Sequence, residues 1–202
     1  MKPSHEQLHR AFNGYAEIPD SEWDFLAGYL LEMSFEPREH LIREGEVGGL
    51  IHFILRGLVR NYQNDDGREL VHGFDFEGRF VASYESLITE MPTHLNVQAL
   101  EATETIAIPG HVLLGLYHRH PCWDRVGRRI LEDNSVRRYD KEMRFRRYSP
   151  EEHYLLLIER KSPLIERVPL RHLASYLGIT PETLSRIRSR QRDETKVVDA
   201  AT

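Results

Sequence analysis

Cysteine is almost absent: Cys122 is the single thiol in 202 residues. One thiol excludes an internal disulfide, a four-cysteine iron–sulfur site and a cysteine zinc cluster. No apolar run approaches the roughly 20 residues that a bilayer-spanning helix needs. The opening Met1-Lys2-Pro3-Ser4-His5-Glu6-Gln7 is too polar for a signal peptide. Catalytic signatures are missing too: there is no G-x-S-x-G, no P-loop and no paired His/Cys nucleophile. The close pair His118 and His120 lacks the following glutamate of a cupin-type metalloenzyme. These absences describe a cytoplasmic chain with no membrane partner and no enzymatic chemistry.

What is present is charge, and it is unevenly distributed. The net charge of −5 would argue against a polyanion as partner. Residues 1–118, however, carry 8 basic and 19 acidic side chains (−11), and residues 119–192 carry 18 and 10 (+8). The remaining tail contributes −2. An acidic body followed by a basic C-terminal third is the asymmetry of a nucleic-acid reader.

Secondary-structure signals divide the chain in the same way. Ser21 before Glu22-Trp23-Asp24 reads as a capping-box-like start, with Trp23, Leu26 and Leu30 at helical spacing. From residue 35 to 108, short apolar runs alternate with glycine turns, among them Arg56-Gly57 and Asn64-Asp65-Asp66-Gly67. Six or more short strands at this spacing predict a closed roll or sandwich. Pro121 then opens a stretch of 26 proline-free positions, 122–147, long enough for a helix of about 39 Å. Val126 and Ile130 share one face, as do Val136, Tyr139 and Met143, and Asp133 and Asn134 interrupt the seam, so these five are the expected dimer interface. So narrow a stripe suits pairing with a second copy, the alternative being a helix packed on its own β-domain. The domain boundaries expected are 1–120, 121–147 and 148–202.

Ser149-Pro150-Glu151-Glu152 restarts the chain with an N-cap, a first-turn proline and two acids. The most informative window is 170–189. Leu170, Leu173, Ala174 and Leu177 form one helical face, Gly178 breaks it, and Thr180-Pro181-Glu182 caps a second helix with Leu184 and Ile187 inward. A small residue at the crossing and a glycine at the turn are what a helix-turn-helix requires. Its second helix can enter the DNA major groove. Thr180, Glu182, Thr183, Ser185 and Arg186 are then positioned for base edges, and Arg188, Arg190 and Arg192 for phosphates. Double-stranded DNA is the expected partner.

With these motifs in place, residues 20–190 resemble the Crp/Fnr family of bacterial transcription regulators. The likeness rests on Glu44-Gly45-Glu46, the run from Ile54 to Gly57, Asp66-Gly67-Arg68-Glu69, the long helix after Pro121, and the stretch from Gly178 to Arg186. It implies an α+β fold: an N-terminal cyclic-nucleotide-binding-like β-roll (a double-stranded β-helix), a long central dimerisation helix and a C-terminal helix-turn-helix. Glu182, Ser185 and Arg186 match the E-x-x-S-R pattern of the Fnr-like branch, which implies a homodimer reading a palindrome of TTGA-like half-sites. Pro181 replaces an arginine that reads guanine in some relatives. The usual β-wing is expected to be missing, because the sequence ends soon after Arg192. RNA polymerase and a small-molecule effector are further candidate partners.

The resemblance places the effector pocket around Gly78, Phe80, Ser83, Thr93 and His94. Ser83 stands where cyclic-AMP-binding members have glutamate, and Thr93 where they have arginine. A cyclic phosphate needs a cation or a helix N-terminus opposite it, and Thr93 has no charge. No cofactor is therefore expected, and a cyclic-nucleotide-responsive adaptor is the alternative function. His118, His120 and Cys122 could ligate a metal by type, but Pro121 turns the chain between them, and no metal site is assigned.

Overall fold

A computed structural model describes residues 2–200, with side chains described through residue 191. Helices α1 (Pro3–Asn13) and α2 (Asp20–Ala27) lead into β1 (Leu31–Phe35), β2 (His40–Ile42), β3 (Leu50–Arg56), β4 (Leu58–Asp65), β5 (Arg68–Phe76) and β6 (Phe80–Val81). Helix α3 (Tyr84–Thr89) precedes β7 (Asn96–Ala99) and β8 (Thr103–Pro109). Then follow α4 (Gly110–Arg119), α5 (Pro121–Arg147), α6 (Pro150–Glu159), α7 (Leu164–Arg167), α8 (Leu170–Leu177) and α9 (Pro181–Ala200). The fold is α+β. Residues up to Gln63 with Gly73–Arg138 form one compact unit, and Asn64–His72 with the residues from Tyr139 on form a second.

In the first unit the strands make two four-stranded sheets, ordered β1-β8-β3-β6 and β2-β7-β4-β5. The pairings of β8 with β1 and β3, and of β7 with β2 and β4, are antiparallel. Strand alternation sends successive side chains to opposite faces. Ile54, Val81 and Val97 pack together with Ile42 and Val59 between the sheets. On the other face of the first sheet, Phe53, Ile106 and Ile108 join Leu8, Phe12, Leu116, Trp123 and Val126 from the helices. Helix α1 was not signalled by the sequence. Its residues Leu8 and Phe12 are 0% and 1% exposed, so packing holds it rather than intrinsic propensity. Helix α2 begins at Asp20 after Pro19, which places Ser21 inside the helix rather than at its cap. Buried Glu22 accepts from the Trp123 indole N–H at 3.1 Å and the Arg119 Nε–H at 3.0 Å, so the carboxylate is paired where it leaves water.

Helix α5 spans 27 residues and changes its surroundings partway along. Val126 is 1% exposed and belongs to the chain's own core, and Ile130 packs against that core. This corrects the expectation that Val126 lies on a pairing face. The first apolar face is used up by the sheet. Residues 131–140 are exposed along their whole length, Val136 at 59% and Tyr139 at 63%.

In the second unit, Ser149 caps α6 with a complete capping box to Glu152. His153, 2% exposed, sits between the rings of Phe145 and Tyr176. Helix α8 ends in a left-handed Gly178 (φ 71°, ψ 26°). The Gly178 N–H reaches the Ser175 carbonyl at 3.1 Å and the Ile179 N–H the Ala174 carbonyl at 3.0 Å. This pair of bonds is a Schellman closure. Leu173, Ala174 and Leu184 are all 0% exposed beneath it, with Leu177 and Ile187 beside them. The Ser175 hydroxyl donates to the Glu69 carbonyl at 2.9 Å and accepts from the Val71 N–H at 3.1 Å, fixing the tip of the β4–β5 hairpin on α8. Among the described residues no strand follows α9.

Two outcomes follow from these elements. A Cβ at Gly178 would meet nothing within 4 Å, so Gly178→Ala isolates the backbone cost. It should destabilise the second unit by about 1 kcal/mol, and Gly178→Asn by less, in thermal melts. His52 is buried, contacts the Thr105 hydroxyl at 3.2 Å, and is held by burial at a pKa of about 4. The unfolded chain takes up that proton near 6.5, so stability is full above this pH and falls as pH drops toward 4. His52 can contribute a loss of up to about 3 kcal/mol. Burial also lowers His72 and His153, which adds in the same direction. Urea midpoints at pH 7.5 and 5 should show the loss, and His52→Gln should shrink it.

Candidate functional site

The outward surface of α9 is the strongest candidate. Thr180 Oγ1 accepts the N–H of Thr183 at 3.3 Å, so it caps the helix as its sequence position requires. The two threonine hydroxyls are 3.2 Å apart, and the Arg186 guanidinium donates to Thr183 Oγ1 at 3.2 Å. Glu182 has its carboxyl held below the usual range, first by its own backbone N–H, then by the Thr180 hydroxyl and the charge of Arg186. Thr180, Glu182, Ser185 and Arg186 are exposed and Thr183 is half-buried. Thr183, itself bonded to Thr180, and the charge of Glu182 therefore hold Arg186 in place on the first two turns, ahead of any ligand.

At 3.6 residues per turn, Glu182, Ser185, Arg186 and Ser189 share one face. Exposed Ser189 was omitted from the expected set, although its spacing of seven from Glu182 would have found it. The same periodicity puts Arg188 inward with Leu184. Its Nη2 donates to the Ile165 carbonyl at 3.4 Å and its guanidinium lies 5.8 Å from the Tyr154 ring centre. Arg188 thus braces α9 against α6 and α7 instead of standing free for a phosphate. Arg190 is exposed and paired with Glu151. The side chain of Arg192 lies outside the described residues.

The expected effector residues do not form one open site. Gly78 makes the left-handed turn into β6 (φ 79°), with its N–H on the Ile54 carbonyl at 2.9 Å. Phe80 faces the helices and packs on Phe12 and Phe53. His94 is exposed. Ser83 and Thr93 are buried and bonded to each other at 2.7 Å, and Thr93 Oγ1 also accepts the Leu95 N–H at 3.0 Å. The Gly45 N–H and the Glu46 carbonyl bond the Thr93 backbone at 2.8 and 2.9 Å. Arg79 lies over the Phe76 ring at 5.5 Å. Two neutral hydroxyls that satisfy each other offer an anionic cyclic phosphate no counter-charge, so these residues do not fit a cyclic nucleotide.

Of the expected pairing residues, Val136, Tyr139 and Met143 are exposed, whereas Val126 and Ile130 are taken by the first unit's core. His118 is exposed, His120 accepts the Cys122 N–H on Nδ1 at 3.2 Å, and the Cys122 thiol is buried. Among the described residues no group of three or more His, Cys, Asp or Glu side chains is arranged to hold a metal. No helix is long and apolar enough to cross a membrane, again among the described residues.

Comparison with known proteins agrees with this architecture. Residues 32–120 match the family described as the cyclic nucleotide-binding domain. No curated protein matches the chain. Among solved structures, FixK2 of Bradyrhizobium japonicum is similar at 21% identity and a TM-score of 0.67, over 82% of this chain and 86% of that one. The c-di-GMP-responsive global regulator CLP of Xanthomonas campestris is similar at 22% identity and 0.67, over 85% and 90%. The catabolite activator protein of Thermus thermophilus gives 20% identity and 0.53, over 90% and 87%. The chain therefore has the fold of the Crp/Fnr transcription regulators, and its residues 32–120 are similar to the cyclic nucleotide-binding domain.

Proposed function

We propose that this chain is a sequence-specific DNA-binding transcription regulator that works as a homodimer in the cytoplasm, without enzymatic activity. The observation that carries the reading is the outward face of α9. There a capped N-terminus, an ionised Glu182 and a threonine-braced Arg186 stand exposed on a helix whose inward face is fully packed. Arg186 would read guanine O6 and N7 bidentately, and Glu182 a cytosine amine. Arg190 would leave Glu151 for a phosphate. In this reading residues 1–120 sense, 121–147 pair two copies through Val136, Tyr139 and Met143, and 148–202 bind DNA. Two α9 helices about 34 Å apart would then meet successive major grooves of a TTGA-like palindrome. RNA polymerase would be recruited at such an operator.

Arg186→Ala should weaken binding to the best selected operator by about 1–3 kcal/mol and relax sequence preference, read by fluorescence anisotropy against a randomised site. Arg190→Ala should weaken all sequences evenly and flatten the salt slope. Wild-type affinity in Arg186→Ala would refute the assignment. Val136→Asp alters an exposed position, so in sedimentation it should give folded monomers with an unchanged melting profile.

A further inference from the structure

We propose that the first unit holds a second small-molecule site, on the helix-covered face of the β1-β8-β3-β6 sheet, built for a short amphipathic organic anion such as a medium-chain monocarboxylate. A cavity of about 290 Å³ lies there, between the sheet and helices α4 and α5. That is the low end of small-molecule sites, which run roughly 300–1,000 Å³. Its walls include Phe12, Ile51, Phe80, Ala82, Ile108 and Val126, all apolar. Ser83 and Thr93 take no part in the lining, and Ile54 and Val81 face the other way, between the sheets. The cavity therefore shares Phe80 with the expected effector residues but opens on the opposite face of the sheet from Ser83 and Thr93.

Arg138 is the one charged residue of the lining, with Asn134 and Ser135 close to it along α5, and Tyr84 and Tyr117 add hydroxyls elsewhere. Asn134, Ser135 and Arg138 line the cavity from successive turns of α5. Arg128, Arg137 and Arg146 pair with acids four residues away, but Arg138 makes no ion pair among the described residues. The Tyr117 hydroxyl, also in the lining, has no hydrogen-bond partner among them either. Gly127 makes room for that ring: a Cβ there would come within 2.5 Å of the Tyr117 hydroxyl. A mid-helix glycine is otherwise unfavourable, and here it widens the contact between α4 and α5. An apolar body with one negative end matches such a lining, since the tail leaves water against aliphatic walls and the head meets a cation and neutral donors.

A second copy of the chain is a poorer occupant. Val136, Tyr139 and Met143 lie on roughly the opposite side of α5 from Ile130, Asn134 and Arg138, at 3.6 residues per turn. A partner helix paired through that stripe would border the rim that Leu131 and Ser135 share with Val136, with Ile130 and Asn134 turned away from it.

The test uses the full chain without DNA, so its result is independent of the DNA-binding reading. Isothermal titration with octanoate should show saturable binding near one equivalent per chain. Butanoate should bind far more weakly, by more than tenfold for the lost methylenes. Octylammonium and cyclic AMP should not bind. Arg138→Gln, at an exposed position, should weaken octanoate about tenfold. Ala82→Phe should fill the cavity and abolish binding, and Tyr117→Phe serves as the milder companion. Equal binding of octanoate and octylammonium, or octanoate affinity unchanged in both Arg138→Gln and Ala82→Phe, would overturn the site. Absent octanoate binding, with Ala82→Phe converting dimer to monomer, would overturn it in favour of a subunit interface.

Discussion

Strand β3 is apolar on both sides, and this constraint governs the first unit. Ile54 is covered by the facing sheet, but Phe53, with Ile106 and Ile108 of β8, needs a separate cover. Helices α1, α2, α4 and the start of α5 provide it, at a gain of about 2 kcal/mol for each large side chain that leaves water. The anchoring extends only as far as the sheet. Beyond Ile130, residues 131–140 of α5 are exposed, so its second apolar stripe stays outward. One helix thus serves two ends: its first turns complete a core, and its later turns present a surface. The cavity beneath Asn134 and Arg138 lies where that change of role occurs.

The same logic of full satisfaction applies between the two sheets and the loop before β7. Ser83 and Thr93, both buried, close on each other and on the neighbouring backbone. A buried hydroxyl pair is inexpensive, whereas a buried arginine without its phosphate would be costly.

At the other end of the chain, α9 divides its arginines by geometry. Arg186 is exposed and held by Thr183, Arg190 is exposed but paired, and Arg188 is turned into the packing beside Tyr154. Composition counts them alike, and helical phase separates them. Charge divides along the sequence in the same way, acidic in the first part and basic in the later part.

The local signals were legible in the sequence because their causes are local. Gly178 takes the left-handed turn, Thr180 and Ser149 cap their helices, and Asp66-Gly67 turns a hairpin, each through bonds within a few residues. The roll, the long helix and the helix-turn-helix could therefore be anticipated. Helix α1 could not, since only contact of Leu8 and Phe12 with distant strands makes it stable. Nor could the inward turn of Arg188, the burial of Val126 or the Ser83–Thr93 closure, because each depends on contacts beyond the residue's own element. The sequence by itself determined which elements form and where they stop, through backbone and capping chemistry. Tertiary packing alone decided which of their faces remain free to bind anything, because exposure is set by what neighbours cover.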